Sequence, residues 1–182
     1  MLIEQICLAL HLEVKENIFV IIIKDDLVNY EDCKKIIKYF EESESKRQEL
    51  DNFEGEILLL TVYLNNKLNK DALWMTDFMK KIQYHVGRFD SNYNIIEQVE
   101  IMKYSTNTSK SFHYDDARDS TTRASVTFLN DDFLGGEVIV EGVTISPKQG
   151  RTYFIDGKQY KHGVTNVYKG NRYVLSLWYK AF

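Results

Sequence analysis

The chain is 182 residues long, with 44% hydrophobic and 13% aromatic side chains and a net charge of −4. One domain with a full hydrophobic core is the expectation at that length and composition. The acidic balance, with a pI near 5.6, argues against a protein that coats phosphate backbones, although it leaves room for a local basic groove.

Two cysteines, Cys7 and Cys33, fit a reducing compartment and offer no disulfide framework. Met1 to Leu12 carries Glu4 early and has no basic n-region, so no signal peptide is expected. The apolar run Ile18 to Ile23 is far too short to span a bilayer and reads as a buried strand. A cytoplasmic protein without a membrane partner is the expectation.

The first half is mixed and holds most of the helix. Asn17 to Lys24 is a β-branched strand. Asn29 offers an N-cap to a helix over Glu31 to Glu42, with Cys33, Ile36, Ile37 and Phe40 at helical spacing. Cys33 is read as a small core residue. Ser43 to Asn52 is polar and charged, a helix end and exposed loop, and the charge run Glu41 to Glu49 is read as solvated. Glu56 to Tyr63 is apolar and fits either helix or strand. Lys70 to Phe89 reads as a second long helix with Leu73, Phe78, Ile82 and His85 on one stripe. Trp74 and Phe78 should pack that helix onto a sheet. His11 and His85 are read as surface or helix-packing histidines.

The second half reads as strands. Gln98 to Tyr104 alternates. Arg123 to Leu129, Glu137 to Val140, Val143 to Ile145, Arg151 to Ile155 and Arg172 to Tyr179 follow. Asn130-Asp131-Asp132, Gly135-Gly136, Glu141-Gly142 and Pro147 to Gly150 separate them as turns. Many short strands preceded by helices predict an α+β fold: a double-stranded β-helix, or jelly roll, with N-terminal helices packed on one face. No repeat or linker divides the chain. It is read as one domain, with N-terminal helical support over 1–95 and a core over 96–182.

Within this pattern one constellation carries chemistry. His113 and Asp115 stand two apart on an extended segment, so both side chains share one face. A second imidazole, from His162, completes two histidines and one carboxylate, the facial ligand set that suits non-haem Fe(II) and leaves coordination positions open. Arg172, ten residues after His162, is placed to hold a small anionic co-substrate through its guanidinium fork. By alternation Arg172, Val174, Ser176 and Trp178 share one face of the last strand. Asp116 and Asp119 are read as solvated loop carboxylates. The polar loop Arg118 to Arg123 fits a lid over substrate and a plain solvated loop equally well.

The stretch Ile101 to Tyr179 resembles the catalytic core of the Fe(II)/2-oxoglutarate-dependent dioxygenases, and within them the prolyl 4-hydroxylase-like branch. The resemblance rests on Met102-Lys103-Tyr104, His113-Tyr114-Asp115, Ala124 to Asn130, Gly135-Gly136-Glu137, Pro147 to Gly150, His162-Gly163-Val164 and Asn171 to Tyr179. It implies that His113, Asp115 and His162 ligate Fe(II). It implies that Arg172 binds the distal carboxylate of 2-oxoglutarate with help from the Tyr104 hydroxyl. Where family members often place another aromatic hydroxyl near the co-substrate, this chain has Phe128, so that contact is expected to be missing. Trp178 and Arg123 are candidate substrate-side residues. The implied reaction uses O2 to convert 2-oxoglutarate to succinate and CO2 while hydroxylating a substrate, with ascorbate as an optional reductant. A prolyl residue in a protein or peptide is the leading substrate. Lysyl or other side chains, a free amino acid or a small metabolite remain alternatives, as does a binding module of the same fold that has lost turnover. A nucleic-acid partner is not expected. Oligomeric state is left open.

Overall fold

The computed structural model describes residues 10–14, 17–44, 48–50, 53–61, 63–64, 67–68, 70–87, 95–115 and 121–180. The sixteen described strands are β1 (Leu10–Val14), β2 (Asn17–Lys24), β3 (Gln48–Leu50), β4 (Phe53–Thr61), β5 (Tyr63–Leu64), β6 (Lys67–Leu68), β7 (Ile95–Tyr104), β8 (Lys110–His113), β9 (Thr121–Phe128), β10 (Leu134–Gly135), β11 (Val138–Val140), β12 (Val143–Ile145), β13 (Thr152–Ile155), β14 (His162–Val164), β15 (Val167–Lys169) and β16 (Arg172–Lys180). Helices α1 (Tyr30–Glu42) and α2 (Thr76–Gly87) complete the set. The described structure is mostly β.

Eight strands form a large sheet in the order β1-β2-β13-β9-β16-β7-β4-β3, and four form a smaller one in the order β12-β11-β14-β8. Every pairing in both is antiparallel. Strands distant in sequence become neighbours, as a jelly roll requires. The apolar stretch after Glu56 resolves as strand: Ile57 to Thr61 pair with Met102 to Gln98.

Period-two alternation divides the core into two clusters. Val99 and Ile101 of β7 and Leu175, Leu177 and Tyr179 of β16 gather with Cys33, Ile36 and Phe40 of α1 and Phe78, Met79 and Ile82 of α2. Met102, Tyr104 and Val174, one residue out of phase, gather with Phe128, Val138, Val140 and Tyr153. Each fully buried aliphatic or aromatic side chain contributes about 1.5–3 kcal/mol. The second cluster surrounds the functional site.

Helix α1 starts where Asn29 accepts the Asp32 amide at 2.8 Å, a side-chain cap on an otherwise orphan donor. It buries Cys33, Ile36 and Phe40 along one stripe.

Three sequence expectations change. Lys70 to Met75 is a 3-10 helix rather than the first turn of α2, and Leu73 is half exposed, at 50%. The buried stripe is Met75, Phe78, Met79 and Ile82, and Trp74 stacks on Tyr39 of α1 at 5.0 Å between ring centroids. Gln48 to Leu50 forms a strand by pairing with β4, since backbone pairing tolerates polar side chains on an edge. Within the charge run, Glu41 is more than solvated. Its carboxylate accepts from Tyr173 at 2.6 Å and from Lys103 at 3.0 Å, tying α1 to β16 and β7. Cys7, the side chains of His11 and His85, Phe89, and the loop residues Asp116, Arg118 and Asp119 lie outside the described residues. No described helix is long and apolar enough to cross a membrane.

Candidate active site

His113 ends β8 and His162 opens β14, and the two residues are register partners across the small sheet. Their rings stand 4.4 Å apart between centroids. Asp115 follows β8 by two residues, held by its amide donating to the Gly157 carbonyl at 2.8 Å. One ligand atom from each of His113, Asp115 and His162 lies within 4.8 Å of the others.

Both imidazoles are aimed the same way. Nδ1 of His113 lies 2.8 Å from the Ser111 carbonyl, and Nδ1 of His162 lies 3.0 Å from the Tyr160 carbonyl. A carbonyl only accepts, so each Nδ1 carries the proton and each Nε2 presents its lone pair inward. Nε2 of His113 is buried with no hydrogen-bond partner among the described residues. The Asp115 carboxylate oxygens stand 3.5 Å from His113 Nε2 and 3.6 Å from His162 Nε2. That is too long for good hydrogen bonds. It is close to the separation of about 3 Å shared by ligands at right angles around one ion at about 2.1 Å. Two neutral imidazoles and one carboxylate, half-buried and convergent, fit a divalent first-row metal such as Fe(II).

Charge and burial tune the cluster. Burial holds the His162 imidazole below its ordinary value of 6.5, favouring the neutral form a metal needs. For Asp115, burial pushes upward. Contact with the His113 ring, the charge His162 carries when protonated and that of Lys110 outweigh it, and the carboxyl sits below the usual range.

The cluster opens into a cleft of about 460 Å³, mouth included, between the two sheets. Its walls include Met102, Val126, Val138 and Val174, and it also takes in Tyr104, Tyr153, Arg172, Ser176 and Trp178. Arg172 opens β16 opposite Tyr104, is 1% exposed, and has its guanidinium carbon 4.5 Å over the Tyr104 ring and 5.1 Å over Phe128. Its Nε and Nη1 have no hydrogen-bond partner among the described residues. A buried cation with unused donors calls for an anion.

The sequence-derived candidates therefore sort cleanly. His113, Asp115 and His162 meet at one end, and Tyr104, Arg172 and Trp178 line the same cleft. Phe128 packs beneath Arg172 and brings no hydroxyl. Arg123 does not line the cleft. It sits one residue out of phase with Ala124 and Val126, which do, and its guanidinium pairs with Asp156.

Four residues escaped the sequence reading. A Cβ on Gly157 would stand 1.8 Å from the Asp115 carboxylate, so only glycine leaves that ligand its room. Gly136, at φ +67°, lies where a Cβ would stand 2.8 Å from Arg172 Cδ. Lys110 enters the cleft because of a register shift in β8 that matches three residue steps to two on β14. Tyr153 reaches the cleft from β13. The Gly135-Gly136 turn was visible in sequence, but its steric service to Arg172 was not.

The family model described as the 2OG-Fe(II) oxygenase superfamily matches residues 99–180. No curated protein matches the chain in sequence. Among solved structures, a Pseudomonas putida prolyl-4-hydroxylase is 12% identical with a TM-score of 0.69, covering 89% of this chain and 92% of its own. The viral collagen prolyl hydroxylase of Paramecium Bursaria Chlorella virus-1, in its 2OG complex, is 17% identical with a TM-score of 0.64, covering 89% and 96%. A Trichoplax adhaerens prolyl hydroxylase in complex with a hypoxia inducible factor oxygen degradation domain peptide is 14% identical with a TM-score of 0.70, covering 88% and 83%. At these identities the likeness is one of fold. The segment 99–180, which carries the cluster and Arg172, is thus similar to the 2OG-Fe(II) oxygenase superfamily, and the fold is that of the prolyl hydroxylases it resembles.

Proposed function

We propose that this oxygenase hydroxylates a prolyl residue in a protein or peptide. One oxygen atom of O2 enters the product and the other enters succinate, with CO2 released. The observation that carries the reading is the convergence, in one cleft, of a three-ligand cluster on one side and a buried guanidinium with unused donors on the other.

Each side chain then has a task. His113, Asp115 and His162 would hold Fe(II) through their convergent ligand atoms. The bound iron, with 2-oxoglutarate and O2, supplies the oxidising chemistry. The Ser111 and Tyr160 carbonyls keep both imidazoles in the ligating tautomer. Arg172 takes the distal carboxylate, with the Tyr104 hydroxyl assisting. Met102, Val126, Val138 and Val174 keep water from the reacting centre. Trp178 walls the substrate side, and ascorbate serves as an auxiliary reductant.

A peptide substrate is favoured by the surface beside the cluster. Phe112 and Tyr114 flank His113 and are 52% and 45% exposed, an aromatic platform suited to an extended chain. The prolyl hydroxylases of like fold support the choice of proline. We read the chain as one cytoplasmic domain: β2 and β4, from the N-terminal support, pair directly with β13 and β7 of the core.

Anaerobic reconstitution with Fe(II) and 2-oxoglutarate tests the reading. A weak visible charge-transfer band should appear, and O2 with a pool of proline-containing peptides should yield succinate and a peptide heavier by one oxygen atom. A band and succinate without peptide product would keep the oxygenase and remove proline. Full iron loading with no band would overturn the reading.

A further inference from the structure

The Arg172 guanidinium lies over the rings of Tyr104 and Phe128, and Tyr153 adds a third ring beside Phe128. The Tyr153 ring lies 5.9 Å from that of Phe128 between centroids, and Tyr153 lines the same cleft as Arg172. Register puts it there. Tyr153 stands opposite Val126 and Ile155 opposite Ala124, and all four line the cleft. The alternate residues of β13 face away: Thr152 meets the Thr127 hydroxyl at 2.8 Å, and Phe154 joins the helix-side core.

Tyr153 is only 3% exposed. Burying a phenol in an aromatic wall is costly unless its hydroxyl is satisfied, and phenylalanine would fill the same volume. Guanidinium is donor-only, so the Tyr153 oxygen can accept from Arg172 but cannot donate to it. No described hydrogen bond takes the Tyr153 proton. Nε and Nη1 of Arg172 are likewise without a partner among the described residues. The Nε and Nη1 donors of Arg172 and the Tyr153 hydroxyl thus line one cleft. The complementary group is a carboxylate, which carries two acceptor oxygens and the opposite charge.

Resting on the functional reading above, we propose that Tyr153 is a second anchor for the distal carboxylate of 2-oxoglutarate. Its O–H donates to one carboxylate oxygen while Arg172 holds the other. The hydroxyl comes from β13, one strand away from Phe128 on β9.

The test needs no turnover. Mn(II)-loaded wild type and Tyr153→Phe are titrated calorimetrically with 2-oxoglutarate and with 2-oxopentanoate, which keeps the metal-binding 2-oxo acid end and lacks the distal carboxylate. Tyr153→Phe should weaken 2-oxoglutarate by about tenfold or more, the loss of a hydrogen bond to a charged group, and leave 2-oxopentanoate unchanged. Tyr153→Leu, which removes the ring as well, should retain that ligand-selective loss. Unchanged 2-oxoglutarate binding, or equal losses for both ligands, would overturn the anchor and leave the oxygenase reading standing. Wild type that loads Mn(II) and binds neither 2-oxo acid would overturn both.

Discussion

Gly157→Ala adds one methyl group beside the Asp115 carboxylate, and the surroundings define what it meets. The new Cβ would stand 1.8 Å from Oδ2, 2.6 Å from Cγ and 2.9 Å from Cβ of Asp115, where real Cβ contacts essentially never fall under 3.0 Å. Oδ2 must therefore retreat by at least 1.2 Å, from 1.8 Å to 3.0 Å. The whole Asp115 side chain is crowded, so swinging its end aside does not suffice. Metal-ligand distances tolerate about 0.2 Å. Gly157 is not among the glycines with positive φ, so alanine fits its backbone. A compatible Gly→Ala change stabilises by about 0.4–1 kcal/mol through the unfolded chain. The expected outcome is an unfolding midpoint close to wild type without metal, with Mn(II) or Fe(II) affinity lower by about 10–100-fold, the range for a disturbed ligand support. Calorimetric metal titration beside thermal unfolding of the metal-free protein reads both quantities. Wild-type metal affinity in Gly157→Ala would show that Asp115 is not a ligand in this geometry.

Asp115→Ala should abolish metal binding and turnover while the circular dichroism spectrum stays native; retained activity would sink the triad. Arg172→Met should raise the apparent KM for 2-oxoglutarate by the equivalent of about 2–5 kcal/mol, the usual loss when one partner of a buried charged pair is removed. An unchanged KM would place the carboxylate elsewhere. The pH dependence follows from His162. Its folded pKa is lowered from the ordinary 6.5, so below 6.5 the unfolded chain binds the proton that the folded site resists. Stability is therefore fully present above pH 6.5 and is lost as pH falls from there toward the folded pKa. Metal affinity should fall at lower pH, as pH reaches and passes the folded pKa, because a proton and a metal compete for Nε2 of the folded site. Denaturant unfolding and metal titration at a series of pH values check this, and a flat profile below 6.5 would contradict it.

The residues that carry chemistry were legible because their types are rare and their partners are dictated by charge. Two histidines and one carboxylate converge, and a late arginine on β16 lines the same cleft. Strand alternation gave the inward faces of β7 and β16 correctly. Residues that act through space rather than through chemistry were not legible. Gly157 matters because of where Asp115 lies, and those two meet only after β8 and β14 pair. Lys110 enters the cleft through a β8 register shift that strict alternation does not anticipate. Tyr153 looked like an ordinary strand aromatic; only its placement beside Arg172 shows a hydroxyl where Phe128 has none. Arg123 lies off the cleft, since its phase on β9 brings it to Asp156.

These features share an energetic logic. The cleft brings together atoms that a stable core would avoid: a buried Nε2 without a partner, a guanidinium with unused donors and a crowded carboxylate. Each costs free energy in the absence of ligands, because desolvation is not offset by pairing. The surrounding fold bears that cost with two apolar clusters, one on each face of the large sheet. A ligand that supplies the missing acceptor or the missing ion recovers the loss. At a concentration of a hundred times its Kd it stabilises the folded state by about 2.7 kcal/mol. The sites of local conflict therefore mark where a metal and a co-substrate would pair, and the same unsatisfied atoms that cost stability give affinity for both.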